Sequence, residues 1–220
     1  MLMTDGEIKE SMASDNGLRI RNFLEASLQA SSYDMRLGSK LLISSDEAEI
    51  DLSRKGSATL APGVFALVTT QEIVELPDTI AGHIGVKSYY TRKGLVMLAG
   101  LQIDPGFQGV LVIGLYNASP RGLTLEYLAP FCTVEFHKLA RPAHSPYKPG
   151  QEQKQGEIPR ADKDYLRTLE TQSLSDLSES LRSLTVDVGS LASSMKTMQW
   201  VIQIGLPFIA VLIALTRWLK

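Results

Sequence analysis

The chain has 220 residues and a net charge of −2, from 22 basic and 24 acidic side chains. That leaves room for one ordinary domain with appendages, and shows neither the basic excess of a nucleic-acid surface nor an acidic solvating tail. The single cysteine, Cys132, excludes a disulfide framework and a cysteine-based zinc site within one chain, and reads as a small apolar residue in a strand of a protein from a reducing, cytosolic environment.

The first residues, MLMTDGEIKE, carry no apolar run of signal-peptide length, so the expectation is that the main domain is not exported. Thr4 followed three residues later by Glu7 has the spacing of a capping box and predicts a helix start. From about Tyr33 to His137 the pattern is strand-like. Val64–Thr69, Val110–Tyr116 and Thr133–His137 are rich in β-branched and aromatic residues, and Pro62-Gly63, Pro77-Asp78, Pro105-Gly106 and Ser119-Pro120 punctuate the region as turns. Short strands at close spacing predict an all-β sandwich or barrel.

Residues 142–160 are poor in apolar side chains and rich in Pro, Gly and Gln, which predicts an arm or linker over about 143–161. Helical periodicity follows over 162–198. Leu174, Leu177, Leu181, Leu184, Val188, Leu191, Met195 and Met198 alternate at spacings of three and four, an unbroken a/d seam. A self-associating stalk and a single amphipathic helix lying on the β domain both satisfy that pattern; the narrow stripe and the preceding linker favour the stalk.

Between Lys196 and Arg217 lie 20 uncharged residues. At about 1.5 Å per residue they reach roughly 30 Å, the thickness of a bilayer's hydrocarbon core. Trp200 and Trp218 stand near the ends, where indole rings favour the interface, and Lys196, Arg217 and Lys220 flank the run. Residues 199–219 are therefore expected to be a single-pass tail anchor in a lipid bilayer, with the main domain on the cytoplasmic side. A buried core helix is the alternative.

Residues 1–142 also resemble the dCTP deaminase branch of the dUTPase superfamily. The resemblance runs in order through TDGEIKESM, SLQASSYDMRLGSK, APGVFALVTTQEIVELPDTIAGHIG, VKSYYTRKGL and IDPGFQGVLVIGLYNAS. It implies a mainly β, dUTPase-like barrel or jelly roll, trimeric, that binds dCTP or dUTP with Mg2+ and no zinc in sites shared between subunits. No nucleic-acid partner is implied.

VKSYYTRKGL is similar to the family's Arg-Ser-Ser-x-x-Arg segment, which grips phosphates and orders the reacting water. Ser88 and Arg92 match it; Lys87 keeps the charge without arginine's planar fork, and Tyr89 replaces a small hydroxyl. Asp104 matches the aspartate beside the sugar, which in dUTPases activates water, and Phe107 the ring under the deoxyribose. Ile113 and Tyr147 join these as substrate-facing positions. Asp34, in YDMRLG, is assigned either to a magnesium-bound water network or to a structural turn.

One position departs decisively. In VLVIGLYN, Gly114 stands where the deaminases carry the glutamate that shuttles protons during deamination of dCTP to dUTP. Glycine offers neither base nor acid, and loss of a general acid–base costs typically about two to four powers of ten in rate. The functional expectation is a membrane-tethered deoxynucleotide-binding protein whose deamination is in doubt. A sensor without turnover and a pyrophosphohydrolase working through Asp104 stand as alternatives.

Overall fold

A computed structural model of the chain describes residues 1–44, 46, 48–98, 100–148, 155–168, 174–200 and 203. They fall into two compact units, 1–174 and 175–220.

The first unit opens with α1 (Asp5–Ala13), capped as its sequence predicts: Glu7 N–H donates to Thr4 Oγ1 at 3.4 Å, and Glu7 Oε2 accepts from Thr4 N–H at 3.0 Å. Short β1 (Arg19–Arg21) and β2 (Leu28–Gln29) lead into the long β3 (Ser32–Ile43). Then come β4 (Ile50–Asp51), α2 (Leu52–Lys55), β5 (Ser57–Leu60), β6 (Phe65–Glu75), β7 (Ile80–Val86) and α3 (Ser88–Thr91). The β region ends with β8 (Leu95–Met97), β9 (Gln102–Ile103), β10 (Gln108–Asn117), β11 (Leu123–Glu126) and β12 (Pro130–Lys138).

Among the described residues the strands form a ten-stranded antiparallel sheet with main order β8-β10-β6-β3-β12-β7-β9, and a separate β11-β5 pair. The long strand β3 makes the sheet curl. Tyr33–Met35 pair with β12, whereas Leu37 and Leu41–Ile43 pair with β6, with a register break between Leu37 and Leu41. Gly38 sits in that break, where a Cβ would lie 2.6 Å from the Thr70 carbonyl oxygen, so only glycine lets the strands approach there.

The concave side holds the main core, with Tyr33, Leu37, Leu41, Leu60, Phe131 and Phe136 essentially sealed from solvent. Burying each large apolar side chain contributes roughly 1.5–3 kcal/mol. Cys132 is buried in β12, as its apolar reading predicts, and burial pushes its thiol pKa well up. One ion pair crosses the interior. Glu72 is fully buried and accepts from Arg36 Nε at 2.7 Å and from Arg36 N–H at 2.9 Å. Burial still holds the Glu72 carboxyl above its ordinary range, against the pull of the guanidinium.

The convex side of β3, β6 and β10 carries a second, smaller core. Leu42, Phe65, Leu67 and Val112 are covered there by Ile158 and by Leu166 of α4 (Arg160–Thr168). Lys40 and Lys163 share the carboxylates of Glu49 and Glu157, with Lys163 2.7 Å from Glu49. The sequence predicted a linker over 143–161 and a stalk from 162. In the structure Ile158 seats the end of that stretch on the sheet, and the first helical turns belong to the β body. Two apolar side chains suffice because the sheet already presents an apolar strip.

The second unit contains α5 (Leu174–Trp200), whose Leu174 still belongs to the first unit. Along it Leu181, Leu184, Val188, Leu191, Met195 and Met198 are each 57–63% exposed. Among the described residues no helix is long and apolar enough to cross a membrane. The run predicted to do so, 199–219, lies outside them apart from Gln199, Trp200 and Gln203.

Candidate functional site

The β9–β10 connection builds one wall of a pocket. Asp104-Pro105-Gly106-Phe107 forms a tight turn in which Phe107 N–H donates to the Asp104 carbonyl at 3.1 Å. Gly106 has φ +87°, a conformation that favours glycine, and a Cβ there would lie 2.8 Å from both Pro146 and the Tyr147 carbonyl. The chain beyond β12 therefore returns over this turn. Tyr147 N–H donates to the Pro105 carbonyl at 2.7 Å, and its ring stacks on Phe107 with centroids 5.8 Å apart.

The pocket has a volume of about 240 Å³ and gathers Asp104, Phe107, Ile113 and Tyr147, four of the residues predicted to face substrate. Asp104 is exposed, and its Oδ1 accepts from Gln102 Nε2 at 2.8 Å. Gln102 was not foreseen. The signal was its place two residues before Asp104 at the end of a strand, which puts both side chains on one face. Ile84, Gly100, Ile103, Leu111 and Val112 complete the wall, and no Lys or Arg is among the described residues lining it.

The other predicted residues lie apart from it. Lys87 precedes α3, Ser88 opens it, and Arg92 ends it, with Ser88, Tyr89 and Arg92 all exposed. Tyr89 projects beside Lys93, whose Nζ stands 3.8 Å from the ring centroid. Lys87, Tyr89 and Lys93 line a separate hollow of about 490 Å³ that Glu126 and Thr124 also border. One chain thus carries a pocket at Asp104 and Phe107 and a separate basic hollow at Lys87 and Lys93, with no lining residue in common.

Asp34 is nearly sealed in β3, where one carboxylate oxygen pairs with Lys87 and the other accepts from Thr133 Oγ1 at 2.7 Å. The carboxylate fixes the root of the α3 segment and has little left to offer a metal directly.

Gly114 lies on β10 next to the pocket strand residues, and its surroundings explain why it is glycine. A Cβ at 114 would lie 2.6 Å from the Leu98 carbonyl oxygen and 3.0 Å from the Phe65 ring. Leu98 N–H donates to the Gly114 carbonyl at 2.8 Å, so the segment after β8 is hydrogen-bonded onto this spot. The place where a proton-shuttling side chain is expected is filled by backbone.

The fold is that of a curled, mainly antiparallel β domain with an Asp-Pro-Gly-Phe turn against its pocket. Comparisons with known proteins narrow this. The family model described as dCTP deaminase-like matches residues 2–139. The dCTP deaminase of Pyrococcus abyssi is 34% identical over 148 residues, 67% of this chain and 90% of that protein. The dUMP-forming dCTP deaminase of Persephonella marina is 31% identical over 162 residues, 67% and 89% of the two chains. Among solved structures, the 2′-deoxycytidine 5′-triphosphate deaminase of Agrobacterium tumefaciens matches with a TM-score of 0.51 at 23% identity, over 62% of this chain; the match spans about half (47%) of that one. The chain belongs to the dCTP deaminase-like family.

Proposed function

We propose that the protein is a membrane-tethered, trimeric deoxynucleoside triphosphate-binding member of the family that takes dCTP or dUTP with magnesium and does not deaminate at an enzyme's rate. The observation that carries this reading is a kept pocket beside a filled base position. Asp104, Phe107, Ile113 and Tyr147 line the pocket, while the Leu98 carbonyl occupies the space a side chain at 114 would need. Hydrolytic deamination needs a group that takes a proton from water and returns one to the leaving nitrogen, and glycine has none.

The trimer follows from the divided site. A triphosphate bound at Asp104 needs cationic partners, and the described pocket wall supplies none. Lys87, Ser88 and Arg92 on a neighbouring copy are the complement that threefold symmetry offers. The exposed seam of α5 gives the copies a second place to meet, on a stalk leading to a bilayer anchor at 199–219 and a cytoplasmic β domain.

Magnesium would arrive with the triphosphate. Asp104 is the only carboxylate among the described pocket residues, and Asp34 is occupied by Lys87 and Thr133. That donor set fits an ion that draws most of its ligands from phosphate and water rather than from a protein cage.

Asp104 also favours a second reading. An exposed carboxylate in the pocket, oriented by Gln102, has the chemistry to activate water for attack on a phosphorus atom. One assay separates the two. The full chain in detergent is mixed with dCTP or dUTP and Mg2+, and ammonia, pyrophosphate and melting temperature are followed together. Raised stability without product is the expected result, because a ligand that binds only the folded state stabilises it by mass action. Pyrophosphate release selects the second reading, and ammonia release at a rate typical of enzymes overturns the first.

A further inference from the structure

Two of the chain's three histidines meet on the outer face of the β7–β12 pair, with His83 standing opposite the pocket residue Gln102 of β9. Register dictates the meeting. His83 stands directly opposite Glu135, and His137 follows Glu135 by two residues, so all three side chains project to the same side. Their alternates, Val134 and Phe136, point into the core and are fully buried.

The distances are those of groups waiting for a shared partner. One ligand atom from each of the three lies within 4.8 Å of the others. The imidazole rings are 4.6 Å apart between centroids. His137 Nε2 is 3.6 Å from the Glu135 carboxylate, too long for a hydrogen bond. That nitrogen is nonetheless shielded from water and has no hydrogen-bond partner among the described residues. A buried polar atom left this way costs about 1–3 kcal/mol unless something satisfies it. Ligands bound tetrahedrally at about 2.1 Å stand roughly 3.4 Å apart, against 3.6 Å between His137 Nε2 and Glu135 and an upper limit of 4.8 Å across all three, so binding draws the side chains together.

We propose that His83, Glu135 and His137 form a binding site for a divalent transition-metal ion of the zinc type. Two imidazoles and one carboxylate make a borderline N/O donor set suited to zinc, with the fourth position open to water because His83 and Glu135 are exposed. The expectation of no zinc rested on the lone cysteine and on family chemistry; this ligand set needs no thiolate. Bound there, the ion clamps β7 to β12.

The test uses the full, untagged chain in detergent, stripped with chelator and free of nucleotide. Titration with Zn2+ by calorimetry is expected to give one ion per chain, and Co2+ to develop the visible absorption of a tetrahedral site. His83→Gln, Glu135→Gln and His137→Gln each weaken Zn2+ binding by at least ~10-fold, the smallest effect that losing even an outer partner of a metal ligand has. His144→Gln, at the third histidine, binds as the parent does. Two of the three substitutions fall on exposed side chains, and melting in chelator checks that each variant is folded. Failure of the parent to bind stoichiometrically, or binding unchanged in the three variants, overturns the proposal.

Discussion

At the scale of single residues, Gly114 carries the proposed loss of deamination. Restoring the family's glutamate there is expected to fail twice. The new Cβ meets a backbone carbonyl at 2.6 Å, which cannot swing aside as a flexible side chain would. Overpacking of this kind costs about 1–3 kcal/mol. Gly114→Glu should therefore lower the denaturation midpoint and leave ammonia release from dCTP at background. Robust deamination by this variant would mean that the segment after β8 yields. The buried Arg36–Glu72 pair makes a second residue-scale prediction. Arg36→Met leaves a fully buried carboxylate without its guanidinium, a loss of about 3–5 kcal/mol readable by denaturant unfolding. How much of this was legible in the sequence depends on the reach of each contact. The Thr4–Glu7 box and the Asp104–Phe107 turn are local, and their residue types announce them. The Leu98 carbonyl over Gly114, the seat of Asp34 between Lys87 and Thr133, and the meeting of His83 with His137 all depend on strand register, which no short window of sequence reveals.

At the scale of elements, two appendages are each tied to the β body by burial and by charge: α1 through Ile8 and Glu7, and the α4 segment through Ile158, Leu166 and the Lys163 ion pairs. Helix α1 is held through Glu7, which accepts from Lys138 Nζ at 2.8 Å while capping its own helix. The Lys138 hydrogen bond, followed by the Thr4 backbone, lowers the Glu7 pKa from the ordinary 4.5 to about 2. A depressed carboxyl contributes stability that is present above its unfolded pKa and lost as pH falls through the folded one. The tether should therefore weaken between pH 4.5 and about 2. A carboxyl NMR titration should place Glu7 near that lower value, and Lys138→Met should move it back towards 4.5. The segment around α4 adds burial to its Lys163 and Glu157 ion pairs. Ile158 and Leu166 are each 1% exposed, and Leu166→Ala is expected to cost about 2–5 kcal/mol locally, seen as faster amide exchange over 155–168. Composition pointed to a linker here because polar residues outnumber apolar ones. What it could not reveal was the strip of Leu42, Phe65, Leu67 and Val112 that gives those few apolar side chains somewhere to go.

At the scale of the whole molecule, the divided site makes assembly testable through function. Asp104 and Phe107 lie at one pocket, and Lys87, Ser88 and Arg92 lie at a separate hollow or around α3. If neighbouring copies complete each other's sites, Asp104→Asn damages one half and Arg92→Ala the other, and each variant alone loses dCTP-induced stabilisation. Co-expressed in equal amounts and assembled at random around a threefold axis, they place an intact Asp104 next to an intact Arg92 in about one quarter of sites. Nucleotide binding should then return to about that fraction of the parent's capacity. Recovery should vanish when the two proteins are mixed after assembly under conditions that prevent exchange. If each chain binds alone, no mixture recovers anything, and the trimer loses its functional basis. The same hybrids locate the role of the stalk. Aspartate at Leu184 and Leu191, both more than half exposed on one chain, puts charge into the seam that a coiled coil must bury. If α5 drives assembly, those substitutions should reduce the recovered fraction while leaving the melting of the β body unchanged. If the β domains associate by themselves, recovery should persist, and α5 is not needed for assembly.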